Sequence, residues 1–291
     1  MALLKRASSK APTDEDGRMS LMDHVRELRN RVVKMLLAVI AGTAVGFVFF
    51  DPIWRFMTGP FCRLPAAYKI TSGESCTLVV NGVLDGFFIN LKVAMIFGAV
   101  VSAPIWLYQI WAFVTPGLYK NERRYSLGFL GLAVPLFAAG AALAYLTMDR
   151  GLALLFSFVP SNAIPLINVD DYLGFLILML VVFGVSFLMP LLMVFLNVIG
   201  VLKYSLVSKH QRMIIFLLFV FAAVATPSQD PFTMLALSAP MVVLFFVAEI
   251  FMYFHDKKKD AAEAERLRAL EEELDGPSAP ADSVDSAGTR D

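Results

Sequence analysis

Two carboxylates sit in stretches where basic residues dominate: Glu27 in HVRELRNR, residues 24–31, and Glu122 in LYKNERRY, residues 118–125. Arg31, four residues after Glu27, and Arg123 and Arg124 beside Glu122 offer ordinary surface pairs, each worth under about 1 kcal/mol. Considered together, the two acids are anionic points on an otherwise cationic face, each able to accept a guanidinium through paired hydrogen bonds. A ligand carrying adjacent guanidinium groups fits that pattern, and an anionic leaflet would draw it in at about 1 kcal/mol per charge. Lys92 and Glu249 fall inside apolar runs. Ionisable groups there are functional candidates, with snorkelling to the membrane surface as the plain alternative.

Other chemistries lack their residues. His24, His210 and His255 are far apart in the chain, which leaves no intramembrane His pair or His/Ser dyad for zinc or serine hydrolysis. No GxxxxGK[ST] loop is present. The expectation is a protein that is not an enzyme and needs no cofactor, metal or nucleic acid.

The elements that position these residues are membrane spans. The chain of 291 residues is 58% apolar and 17% charged, with mean hydropathy +0.67, well beyond the about 45 to 50% apolar content of soluble domains. Lys and Arg balance Asp and Glu at 25 each, so placement of charge carries the information. Apolar runs at 32–50, 86–115, 126–147, 172–199, 213–226 and 232–254 predict six spans. Basic residues crowd the stretches before the first run, between the second and third, between the fourth and fifth, and after the sixth. The positive-inside rule then places both termini in the cytoplasm. Residues 1–30 are polar with no cleavage pattern after the first apolar run, so the first span is expected to persist.

Several finer expectations follow. Ser20 and Asp23 form a capping-box pattern, and Leu21, Val25, Leu28 and Val32 form an apolar stripe. They predict an amphipathic helix lying at the cytoplasmic interface and turning into the first span. The fifth run has only about 14 apolar residues, about 21 Å of helix, short for a bilayer. Pro104, Pro116, Pro135, Pro190 and Pro240 sit in or beside spans. They predict bent helices enclosing a concave, glove-like face. Cys62 and Cys76 fall outside the cytoplasm in this topology, where a disulfide is expected and two free thiols are the alternative. The chain therefore divides into a flexible N-terminus, 1–19, a six-span all-α membrane domain, 20–254, and a cytoplasmic tail, 255–291. The tail continues as charged helix before becoming disordered from Gly276.

The block SAPIWLYQIWAFVTPGLYKNERR, residues 102–124, resembles the SAP, YQ, WAF, P and LY-x-x-E-R-R series of the TatC family in order and spacing. HVRELRNR resembles that family's H-x-x-E-L-R-x-R, and FGVSF before Pro190 and ATP before Asp230 match two further segments. The likeness covers about residues 20 to 254. It implies the core subunit of a twin-arginine protein translocase in a bacterial plasma membrane, which recognises signal peptides of folded export substrates. By the same resemblance Glu27 and Glu122 bind the two arginines, with Phe113 lining the site. It also implies TatA-like and TatB-like single-span partners, further copies of the chain itself, and a drive from the proton-motive force. The cysteine pair and the HDKKK exit from the last span look like the actinobacterial branch. Two positions depart from the family pattern. Leu188 stands where a glutamate is usual and Met234 where a glutamine is common, at points implied to seat the partner spans. The family's acidic position in the last span falls on Phe246, and Glu249, one turn later, keeps roughly the same face. The rival reading is a proton-coupled small-solute transporter with Lys92 and Glu249 as relay groups; it would normally show internal repeats, and none is visible between residues 30–147 and 172–254.

Overall fold

A computed structural model describes residues 21–64, 71–72, 75–76, 78–114, 123–160, 167–228 and 230–275. These form ten helices and one two-residue β-hairpin. Helix α1 spans Leu21–Val48 without a break, so the expected interfacial helix and the first span are one element. The apolar stripe at Leu21, Val25, Leu28 and Val32 continues in register through Leu36, and no proline interrupts it before the span begins. Ser20 lies outside the described residues. Lower in α1, Gly42 and Gly46 let the backbone of helix α3, Asp85–Val101, come very close. A Cβ at Gly42 would sit 2.8 Å from the Gly98 Cα, and one at Gly46 would sit 2.8 Å from the Ala94 carbonyl oxygen. Small residues at four-residue spacing permit this approach where lipid supplies no hydrophobic driving force between helices.

Helix α2, Phe50–Cys62, occupies part of what reads in the sequence as a polar connection. Met57, Thr58, Pro60 and Phe61 turn inward. Tyr145 donates to the Phe56 carbonyl at 2.7 Å, and Tyr172 donates to the Met57 carbonyl at 2.6 Å. Its buried face joins Val93, Met148, Tyr172 and Leu173 in one apolar cluster. Cys62 ends the helix and is disulfide-bonded. The hairpin pairs β1, Thr71–Ser72, with β2, Ser75–Cys76.

The second apolar run is split. Helix α3 meets helix α4, Ala103–Val114, at a bend of 58° around Ser102. Pro104 has no N–H to bond back to the Val100 carbonyl, and at the bend the Ala99 carbonyl accepts from Trp106 Nε1 at 2.8 Å. Helix α5, Arg123–Ser157, passes straight through Pro135 and runs beyond the predicted limit at 147. Its extension carries Asp149, whose carboxylate lies 3.9 Å from Arg63. Helices α6, Val169–Ser186, and α7, Met189–Val198, are separated at Phe187 and Leu188. Pro190 there sits in the first turn of α7, where its missing donor is no loss. Gly140 of α5 packs on the Phe183 carbonyl of α6. Lys92 leans from α3 to pair with Asp170 in the first turn of α6.

A short helix α8, Tyr204–Lys209, leads into α9, Gln211–Ala225, whose 15 residues reach only about 22 Å. Helix α10 then runs from Pro231 to Asp275 through Pro240. Among the described residues four helical segments, in α1, α5, the joined α6–α7 and α10, are long and apolar enough to cross a membrane, and the bent α3–α4 pair makes a fifth candidate; α9 is a shorter apolar helix. A second buried cluster ties α5, α6 and α10 through Ala144, Met179, Phe183, Leu237 and Met241.

Asp230 caps α10. Its carboxylate accepts from the Thr233 amide at 2.8 Å and from the Thr233 hydroxyl at 2.5 Å, and the Ser228 hydroxyl contacts that of Thr233 at 2.6 Å. Burial pushes the Asp230 carboxyl upward, but the hydrogen bonds from Ser228 and Thr233 outweigh it and hold it below the usual aspartate value. The ionised cap therefore stabilises the fold at pH above the ordinary carboxylate range, and that stability is lost as pH falls through the lowered value. Asp230→Ala should cost about 1 kcal/mol. Thermal unfolding in detergent checks this, with the mutant's deficit shrinking toward acid pH.

Candidate peptide-binding site

The first turns of α1 meet the last turn of α4. The ring of His24 stacks on that of Phe113, centroids 4.6 Å apart and planes 23° from parallel. Glu27, three residues after His24, lies on the same side of α1. One of its oxygens, Oε1, accepts from Arg31 through Nε at 3.0 Å and also through Nη2. This is the pairing expected from their spacing. The other oxygen, Oε2, is buried and has no hydrogen-bond partner among the described residues. A buried carboxylate oxygen without a donor costs roughly 1–3 kcal/mol. A ligand that brings an N–H to that oxygen recovers this energy.

The end of α4 is held by aromatic packing. Trp111 stacks on Phe129 of α5, centroids 3.9 Å apart, and meets Phe195 of α7 edge-on at 4.0 Å. Two residues on, Phe113 is thus presented on a backbone pinned to α5 and α7. Arginine is suited to such a place, because its planar guanidinium both forks onto carboxylate oxygens and stacks on aromatic rings. Glu122 lies outside the described residues, as do its neighbours from 115 to 121. It immediately precedes α5 in the chain.

The remaining candidates are dispersed. Leu188, at the α6–α7 break, is half-buried against Ala103, Leu107 and Phe137. Met234, in the first turn of α10, packs on the cluster of Phe183 and Leu237. Glu249 lies 15 residues further along α10, about 22 Å away, and accepts from Gln211 of α9 at 3.1 Å. Met234 and Glu249 do not form one patch, whereas Met234 packs on the cluster that holds Phe187, the neighbour of Leu188. An apolar groove of about 570 Å³ does open beside Phe187, lined by Pro135 of α5 and by Pro240, Val243 and Leu244 of α10. Lys92 and Glu249, the relay groups of the transporter reading, are paired separately with Asp170 and Gln211.

A family profile described as "Sec-independent protein translocase protein (TatC)" matches residues 23–240. The chain belongs to the TatC family. The TatC protein of Frankia casuarinae is 47% identical over 250 residues, covering 84% of this chain and 69% of that one. The TatC protein of Xylanimonas cellulosilytica is 36% identical over 255 residues, covering 88% and 91%. Among solved structures, a crystal structure of the twin arginine translocase receptor TatC superposes with a TM-score of 0.63 at 27% identity, covering 79% of this chain and 99% of that one. TatC proteins are membrane components of a protein translocase, and this chain is one of them rather than an enzyme. Within the site, His24 carries no metal or nucleophile partner in the sequence, so its place beside Phe113 emerges only from the fold. The three-residue step from His24 to Glu27 was the available signal that both share one helix face.

Proposed function

We propose that this chain is the receptor and core subunit of a twin-arginine translocase in a bacterial plasma membrane, and that Glu27, Phe113 and Glu122 bind the paired arginines of export signal peptides. The observation that carries this reading is the unpaired, buried oxygen of Glu27, one turn from the His24–Phe113 stack. One arginine takes Glu27 and lies along the ring of Phe113; the second takes Glu122. Arg31 keeps hold of Oε1 throughout and fixes the rotamer that leaves Oε2 unpaired, and the incoming guanidinium displaces the groups that cover it.

Counting the α3–α4 pair and α9 as one span each gives six spans, and the placement of lysine and arginine sets both termini in the cytoplasm. The glutamates then face the compartment in which precursors are made. The bent pair α3–α4 and the interrupted span α6–α7 enclose a concave face containing the groove beside Phe187. The TatA-like and TatB-like spans dock on this side, near Leu188, Met234 and Glu249. Cys62 pairs with Cys76 outside the cytoplasm. With no nucleotide motif in the chain, transport draws on the proton-motive force through the assembled complex, which contains further copies of this subunit.

A photo-crosslinking side chain placed at Phe113 should capture a twin-arginine signal peptide added to reconstituted protein. The same group at Phe158, remote from α1 in sequence and exposed, should not. Equal capture at both positions, or none at 113, would remove the proposed site.

A further inference from the structure

Between the end of α7 and the start of α8 the chain turns against the charged continuation of α10. Gly200, at φ +82°, makes the turn, and Asn197 fastens it. The Asn197 Nδ2 donates to the Leu202 carbonyl at 2.8 Å and to Asp256 of α10 at 2.9 Å. The Tyr204 amide donates to the second carboxylate oxygen of Asp256 at 2.7 Å. Burial pushes the Asp256 carboxyl upward, but hydrogen bonds from the Tyr204 amide, Asn197 and His255 outweigh it and hold it below the usual aspartate value, so the group is ionised. Asn197 is only 2% exposed, and its Oδ1 has no hydrogen-bond partner among the described residues. With both of its N–H donors committed, the amide cannot flip to hide that oxygen. A buried acceptor in this state is costly until a donor reaches it.

Asn197 lines a groove of about 540 Å³ between this turn and α10, and both signs of charge share the walls. Asp256, Asp260 and Glu263 recur along one face of α10. Lys203, Lys257 and Lys259 stand around them, and among the described residues none of these lysines is in an ion pair. The apolar sequence of α10 ends at Phe254, immediately before HDKKKD. Tyr204 and Tyr253, of the residue type that settles at the edge of the hydrocarbon, border the same groove. The groove therefore opens at the level of the lipid headgroups. Its ligand must bring a cationic N–H donor for Asn197 and the carboxylates, and an anion for the lysines.

We infer that the groove binds the headgroup of a phospholipid that carries a primary ammonium next to its phosphate, a phosphatidylethanolamine. The ammonium displaces the groups that cover Asn197 Oδ1 and donates to that oxygen and to Asp256, while the phosphate meets Lys203 and Lys257. A choline headgroup supplies the same charges but no N–H. A glycerol headgroup supplies O–H donors but no cation for the three carboxylates. Such a site requires only that α10 leave the bilayer near Phe254, whatever the protein transports.

Native mass spectrometry of the full chain in detergent, given equal amounts of phosphatidylethanolamine and phosphatidylcholine with the same acyl chains, reads the preference directly. The ethanolamine lipid should be held about tenfold more tightly, and each methyl group added to its amine should lower the affinity as N–H donors are lost. Asn197→Leu should erase the preference, whereas Lys203→Gln combined with Lys257→Gln should weaken both lipids alike. If Asn197→Leu does not fold, the methylation series on the unmodified chain decides alone. Equal retention of the two lipids by the unmodified chain would overturn the inference. Displacement of the bound lipid by low millimolar phosphoethanolamine or inorganic phosphate would also overturn it, by assigning the groove to a soluble phosphate.

Discussion

Glu27→Gln is expected to weaken binding of a twin-arginine signal peptide by roughly tenfold to a hundredfold, with the unfolding temperature nearly unchanged. The magnitude follows from one charge-assisted hydrogen-bonded contact, about 1.5–3 kcal/mol. The glutamine retains shape and can still accept from Arg31, so helix α1 and its packing on α4 persist. What disappears is the negative charge at Oε2, the atom left buried and without a donor. Glu122→Gln should have a comparable effect if the second arginine is held in the same way. Arg31→Gln should act indirectly: with Oε1 released, the carboxylate becomes free to rotate, and affinity should fall less than for Glu27→Gln. Isothermal titration of the purified, reconstituted chain with one signal peptide measures all three. An undiminished affinity in Glu27→Gln would contradict the assignment of this residue.

The second large effect is structural. Gly98→Leu is expected to destabilise the protein by more than about 2 kcal/mol and to lower the yield of folded protein. Even a Cβ at this position would stand 2.5 Å from the backbone nitrogen of Thr43 and 2.8 Å from the Gly42 carbonyl carbon. Those atoms belong to the backbone of α1, so relief requires the two helices to separate. Because α1 also carries Glu27 and His24, such a shift would spread into the binding site. Gly131→Ala is the matched control, since a Cβ there meets nothing within 4 Å. Replacing a helical glycine in open space should be neutral or stabilising by up to about 1 kcal/mol. Unfolding monitored by circular dichroism in detergent separates the two outcomes, and equal stability of Gly98→Leu and wild type would refute the close-packing argument.

Long apolar runs were legible in the sequence because a membrane span is a property of composition over about 20 residues. The shortness of α9 was legible for the same reason. Helix α2 was not, since Phe50–Cys62 is too short for a span and contains Pro60, which reads as loop until Tyr145 and Tyr172 are seen to grip it. The prolines divided in a way their spacing does not reveal. Pro104 and Pro190 accompany breaks, whereas helices α5 and α10 continue through Pro135 and Pro240. Whether a proline breaks its helix depends on the groups packed around it, as at the α3–α4 bend, where Trp106 donates to the Ala99 carbonyl, and that is a tertiary fact. In the site, the charge logic of Glu27 was readable from its neighbours. Phe113 entered the site only through the family resemblance, and the stack by which His24 meets it was not readable, because it joins residues 89 positions apart. The grouping of Leu188, Met234 and Glu249 came from a family pattern, and only the 15 residues of α10 between Met234 and Glu249 can be read as a separation.

The measurement that bears most directly on the receptor reading compares two signal peptides, identical except that one carries Arg-Arg and the other Lys-Lys. Both would be titrated against the full chain in lipid nanodiscs at fixed ionic strength. Charge is the same in each, so surface attraction contributes equally, and only the forked, stacking geometry of guanidinium differs. A carboxylate pair beside an aromatic ring should hold the arginine peptide at least about tenfold more tightly, and Glu27→Gln should reduce that preference. Equal affinity for the two peptides would contradict it.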